Sequence, residues 1–420
     1  MNATLPRPQV LGLQPSFGFG DRLGLATPGH LDAVRGSRFL PILAQQSIRE
    51  MARTDRTPPE VMRAAQQSIA AEGYQGAWGA DADHLKTAED VAVTAAAGFT
   101  FFTIDPSAHV DNRADGYHGE ALATALREVI AGGAFASVQE LNDLYLGRRI
   151  EADGLDLTFD REGLLHRAAV KYGLAVQHTA RMAGWIAAAC ADRAYEIEVS
   201  VDETDTPTTP LEHLFVGLEL QRRGVPVVSL APRFVGDFEK GIDYKGDLAE
   251  FEAALEQHVA IARHCGPYKI SVHSGSDKFS IYPILGRLCG DLLHVKTAGT
   301  SYLEALRVVA RVEPTLFAEI VAFGRGRYEE DKATYHVSAN LAALDEPASL
   351  DAAELERQYL DHDGGRQVLH VTFGSVLRLG RTTAGEPFKE AILRIVAAQP
   401  ELHREVVARH LGRHIDLLGR

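Results

Sequence analysis

Cysteine is scarce in this chain. Only Cys190, Cys265 and Cys289 occur in 420 residues, too widely spaced for a disulfide framework or a thiolate zinc site. That usage fits a reducing, cytoplasmic compartment. Long apolar runs are also lacking: the most apolar stretch, 182–190, falls well short of the ~20 residues a membrane-spanning helix needs. The opening Met1-Asn-Ala-Thr-Leu-Pro-Arg-Pro does not have the charged-then-apolar order of a signal peptide. Positive charge is outnumbered, 43 Lys and Arg against 57 Asp and Glu, giving a net charge of −14. A nucleic-acid partner would need a basic face, so that class is excluded. A small anionic substrate stays open if a few Lys and Arg converge. No Gly-x-Gly-x-x-Gly follows a strand and opens a helix; Ser16-Phe-Gly-Phe-Gly-Asp-Arg22 has the wrong spacing for a dinucleotide site. Internal repeats and low-complexity segments are likewise missing.

What the chain does have is alternation. Its 45% hydrophobic and 24% charged residues are ordinary soluble usage, enough for a large core. Strand-like runs fall at 16–26, 76–82, 100–105, 195–202, 226–231, 268–273, 292–297 and 334–337. Helical patterns lie between them, at 60–72, 88–97, 211–223, 248–264, 279–289 and 302–311. Eight strands alternating with helices predict an α/β fold, a (β/α)₈ TIM-like barrel; an open doubly wound sheet is the alternative. The chain reads as one barrel domain over 1–420. A helical insertion at 119–191, after the third strand, offers a lid or a contact between copies in a homo-oligomer. A mostly helical C-terminal extension covers 338–420, interrupted by a strand-like run at 368–373.

In such a barrel the reactive groups sit at the carboxyl ends of the strands. The second strand runs into Asp83-His84-Leu-Lys86, an acid beside an imidazole, just before a helix start at Thr87 with Glu89 and Asp90 in its first turn. The plainer alternative is that Asp83 and His84 only cap that helix. The third strand leads to Asp105 and His109, candidates for substrate binding. In the fourth, a period of two puts Glu196, Glu198, Ser200 and Asp202 on one face, with Glu203 at the tip. The fifth is followed by Arg233 and Lys240, suited to clamp an acidic substrate. The sixth ends in His273-Ser274-Gly-Ser-Asp277-Lys278, offering an imidazole, a hydroxyl and another acid–base pair. The seventh carries His294 and Lys296, with Lys296 nearer the mouth and able to stabilise an oxyanion. Two imidazoles and a carboxylate with open positions suit Zn²⁺, Mn²⁺, Co²⁺ or Ni²⁺, and the expected metal ligands are His84, Glu203 and His273. Asp83, Lys296 and Asp277 are the expected catalytic groups; Arg233, Lys240, Ser274, Asp105 and His109 are the expected substrate contacts. His294, His336 and His370 carry no assignment.

Long blocks of the chain resemble the tagaturonate epimerase family of hexuronate metabolism. They are Pro15-Ser-Phe-Gly-Phe-Gly-Asp-Arg-Leu-Gly-Leu-Ala-Thr-Pro-Gly-His30, Ala80-Asp-Ala-Asp-His-Leu-Lys86, Phe102-Thr-Ile-Asp-Pro-Ser107 with His109-Val-Asp-Asn112, Arg233-Phe-Val-Gly-Asp-Phe-Glu-Lys-Gly-Ile-Asp-Tyr244 and His273-Ser-Gly-Ser-Asp-Lys278. The resemblance implies a metal-dependent interconversion of D-tagaturonate and D-fructuronate by inversion at C4, on a barrel. Asp83-His84 also looks like the pair in class II aldolases, where the histidine binds zinc and the aspartate moves a proton. That likeness implies a retro-aldol route in which Asp83 shuttles the C4 hydroxyl proton while Arg233, Lys240 and Lys296 meet the substrate carboxylate and oxyanion. Two other readings are a class II-type aldolase that releases its fragments and a sugar-acid binding protein without turnover.

Overall fold

In the computed structural model, which describes residues 5–152 and 154–419, eight short runs are buried on both faces, the mark of parallel strands covered by helices. They are β1 (Ser16–Gly20), β2 (Leu40–Ser47), β3 (Gly79–Leu85), β4 (Phe101–Ile104), β7 (Glu196–Val201), β8 (Val227–Pro232), β9 (Lys269–Val272) and β10 (Leu293–Thr297). Two further strands, β5 (Arg149–Ala152) and β6 (Leu155–Thr158), form an antiparallel hairpin apart from them. The eight close into a parallel barrel in the order β1-β10-β9-β8-β7-β4-β3-β2. This is the TIM-like architecture the alternation predicts.

Three local expectations fail, each for a physical reason. β2 was not anticipated, because Pro41 and the polar Gln45-Gln46-Ser47 disguise a strand. Gln45 and Ser47 turn to the cavity, where Gln45 Nε2 donates to the Thr297 carbonyl at 2.9 Å, while Gln46 faces the other way and accepts from Arg56. Gly18 makes room for Gln45, since a Cβ there would lie 1.6 Å from Gln45 Oε1. With β2 in place the barrel is closed, so 334–337 has no edge to join. It follows a 3₁₀ turn (Lys332–Thr334) as an extended segment at the cavity mouth. The run 368–373 lies inside the buried helix Asp363–Leu379. Its β-branched residues mimic a strand, but Thr372 Oγ1 bonds back to the Val368 carbonyl at 2.8 Å, as threonine does in helices.

The segment 119–191 holds the helices Gly119–Ala131 and Val138–Tyr145, the β5–β6 hairpin, and the 28-residue helix Glu162–Ala189 that packs along the barrel wall. The C-terminal helices build a second apolar cluster around Tyr302, Tyr328, Tyr359 and Phe373. Arg22 ties the two together, pairing with Glu50 at 2.9 Å and lying 3.5 Å over the Phe373 ring. Among the described residues no helix is long and apolar enough to cross a membrane.

Candidate active site

The carboxyl ends of the barrel strands surround a cavity of about 340 Å³, within the ~300–1,000 Å³ of small-molecule sites. Asp83, His84, Asp202, Glu203, Arg233, Lys240, His273, Ser274 and Lys296 all line it. In a regular strand Asp83 and His84 would point to opposite faces. Here the β3–β4 register shifts between Ala82 and Leu85, and His84 adopts φ +54°. This bulge turns both neighbouring side chains toward the cavity, at some backbone strain. The helix that follows caps itself through Thr87 and Asp90, so Asp83 and His84 are not spent as caps.

The floor is a buried charge network. Lys296 Nζ lies 2.6 Å from Asp81, 2.8 Å from Asp83, 2.6 Å from Glu198 and 2.6 Å from Thr103 Oγ1. Burial opposes its charge, yet the three carboxylates hold its pKa well above the ordinary lysine value. Four acceptors saturate three ammonium protons, so Lys296 neutralises acids and has no donor left for a substrate oxyanion. Asp81, deeper and crowded by Asp83 and Glu198, is pushed by burial up to about 7 despite Lys296.

Above this floor sit two imidazoles with ring centres 5.0 Å apart. Each is oriented by a carboxylate on one nitrogen. Asp83 takes His84 Nδ1 at 2.8 Å, and Glu198 takes His273 Nε2 at 2.7 Å. The remaining His273 Nδ1 is buried without a hydrogen bond, 3.5 Å from Asp202. Ligand atoms of His84, Asp202 and His273 all fall within 4.8 Å of one another. Carboxylates behind ligating imidazoles are the usual outer shell of a metal site. The electrostatics agree: against burial, Asp202 and Glu198 raise His273 to about 10, showing how strongly this spot favours positive charge. A divalent cation would replace those protons, so the residues fit one.

Glu203, expected as the third ligand, groups instead with His84 and Asp105. That set already has a cation, because Lys86 Nζ lies 3.0 Å from Asp105 and 3.8 Å from Glu203. Asp202, the residue before it, completes the His84–His273 set. The period of two in the sequence puts Asp202 on one face with Glu198, and that is the signal that favours it. Lys240 lines the cavity with Ser274 Oγ at 2.8 Å as its hydrogen-bond partner. Arg233 lines it too, its guanidinium bonded to the Thr204 carbonyl.

Three expected residues do not line the cavity: Asp105 is buried with its carboxylate spent on Lys86, and the other two lie further off. His109 is exposed, its ring centre 4.1 Å from that of His178 and tilted to it, away from the cavity. Asp277 is buried in a different cluster, 2.7 Å from Arg366 and 2.5 Å from His410, fastening the C-terminal helices to the barrel. Of the unassigned histidines, His294 bonds Ser16 in the barrel core and His336 sits at the mouth near Asp237.

The profile of the tagaturonate epimerase family (UxaE) matches residues 1–418. The chain belongs to that family. A tagaturonate/fructuronate epimerase of Thermotoga maritima is 44% identical over 415 residues, 98% of this chain and 82% of that protein. Crystal structures of the fructuronate-tagaturonate epimerase of Cohnella laeviribosi, native and with glycerol, superpose with a TM-score of 0.92 at 39% identity, covering 98% of this chain and 83% of theirs. The protein is thus an isomerase of the epimerase type, on a TIM-like barrel.

Proposed function

We propose that the protein interconverts D-tagaturonate and D-fructuronate by inverting C4, through cleavage and re-formation of the C3–C4 bond. The supporting observation is the His84–Asp202–His273 set with its two backing carboxylates, in the cavity of a chain from this family. Those three residues would hold a divalent cation (Zn²⁺, Mn²⁺, Co²⁺ or Ni²⁺), which would supply Lewis-acid stabilisation of the charge that develops on the ketone.

C4 is one carbon too far from the ketone to be acidified by it, so simple deprotonation is a poor route. In the retro-aldol route Glu203 accepts the C4 hydroxyl proton while the C3–C4 electron pair passes to C3 and the ketone. The new aldehyde turns about C4–C5, C3 attacks its other face, and Glu203 returns the proton. Asp83 is poorly suited as this base: His84 and Lys296 hold its carboxyl well below the usual range, overcoming burial. Its part is to orient His84. Lys240, with Ser274, and Arg233 face the sugar-acid carboxylate and anchor the fragment that stays bound. A reducing cytoplasmic setting belongs to the same reading, in line with three buried free thiols.

Elemental analysis followed by an NMR assay of tagaturonate, with and without chelator, tests the proposal. The expected result is stoichiometric metal and fructuronate formation that chelation abolishes. Full turnover by metal-free protein would overturn the metal's part. Capture of a released three-carbon fragment by a trapping dehydrogenase would make the enzyme an aldolase instead.

A further inference from the structure

His370 has an unusual position. Its ring, on the C-terminal helix Asp363–Leu379, is 1% exposed and lines the cavity, yet neither Nδ1 nor Nε2 meets a hydrogen-bonding partner. Buried polar side-chain atoms are met in the large majority of cases, and among the described residues His370 is the one histidine with both ring nitrogens buried and unmet, at a cavity where a ligand can supply a partner. The backbone is shaped around this ring. A Cβ on Gly299, just past β10, would lie 2.3 Å from His370 Cε1, and one on Gly241 would lie 3.3 Å from Nδ1. Two loops from different barrel strands therefore hold the imidazole in one place.

The surroundings are electropositive. After burial, Arg22, Lys240 and Arg366 act on His370 in one direction and Asp277 in the other. Burial, with Arg22 and Lys240 beside it, keeps the imidazole well below its ordinary pKa, hence neutral with one N–H and one lone pair. Arg22 is paired with Glu50 and Arg366 with Asp277. Lys240 has no carboxylate partner among the described residues; Ser274 is its hydrogen-bond acceptor.

We infer that His370 is a substrate-binding residue, donating a ring N–H to the carboxylate end of the sugar acid beside the Lys240 ammonium. The C-terminal helices then do more than brace the barrel: they supply part of its recognition of sugar acids. The inference rests on the proposed substrate class.

The test compares metal-loaded, full-length wild type with His370→Leu in tagaturonate kinetics, and measures by NMR the binding of glycerate, a hydroxy acid that cannot react. His370→Leu raises KM and the glycerate Kd by about tenfold to a hundredfold, the loss expected for a hydrogen bond to a charged group, while kcat changes far less. His370→Gln, which keeps a donor, recovers most of the affinity, as a purely structural role would not require. If Leu does not fit the glycine cradle and the protein fails to fold, His370→Ala, which only removes atoms, carries the same prediction. KM and glycerate Kd within twofold of wild type would overturn the inference. Wild type that binds glycerate through His370 but does not turn over tagaturonate would sink the proposed reaction and leave the inference standing.

Discussion

The two walls of the cavity are built on opposite terms. The wall made by β3, β7, β9 and β10 is densely bonded: Asp81, Asp83, Glu198, Lys296 and the imidazoles of His84 and His273 bond one another at 2.6–2.8 Å, with His273 Nδ1 left facing Asp202. The wall made by the loop after β8 and the C-terminal helix is short of partners, with Lys240 on one hydroxyl and His370 on none. The bonded wall fixes charge in place, as the proposed cation site requires. The unsaturated wall leaves its donors for a ligand to complete. On the proposed reading, the cation and the sugar-acid carboxylate meet different walls of one cavity.

The largest effect should come from breaking the bonded wall at its centre. Lys296→Met leaves three buried carboxylates without their cation and is expected to lower stability by about 3–5 kcal/mol in urea unfolding. A loss under ~1 kcal/mol would mean the network is not interlocked as described. Next, Glu203→Gln should reduce kcat by about 10²–10⁴-fold with metal content unchanged. Were Asp83→Asn to produce that signature instead, the proton carrier would be Asp83. On the present account Asp83→Asn loosens His84 and weakens metal affinity by about 10–100-fold, measured by competition with a chelating dye.

The smallest effect concerns Asp277, outside both walls. Burial alone would raise its pKa, but Arg366 and His410 hold it well below the usual range. A depressed carboxyl contributes stability that is complete above its unfolded value of ~3.9 and is lost as pH falls through the folded one. Asp277→Asn should therefore cost about 1–2 kcal/mol at neutral pH and progressively less in acid, by urea midpoints across pH. A cost independent of pH would contradict its assignment as a structural ion pair.

Much of the barrel could be read from the sequence, because strands buried on both faces are compact apolar runs with polar tips. β2 could not, since its polar half is explained only by Thr297 across the barrel. The strand-like run at 368–373 shows the converse: β-branched residues fit a buried helix as well as a strand, and periodicity cannot separate the two over six positions. That ambiguity hid His370, whose relevance depends on a helix folding over the barrel mouth. Within the site, His84 and His273 were evident from their strand ends. Asp202 was legible too, since the period of two through β7 puts it on the same face as Glu198, whereas Glu203 stands one residue further out of step. Asp277 looked like chemistry beside Lys278, while its partners Arg366 and His410 lie about a hundred residues away in sequence.

The central claim is that one divalent cation sits between His84, Asp202 and His273. A crystal of the protein grown with Mn²⁺, read by anomalous scattering, tests it most directly. The account predicts a single strong peak within ~2.0–2.3 Å of His84 Nε2, His273 Nδ1 and an Asp202 oxygen. A peak on Asp105 and Glu203 instead, or none in the cavity, would contradict it.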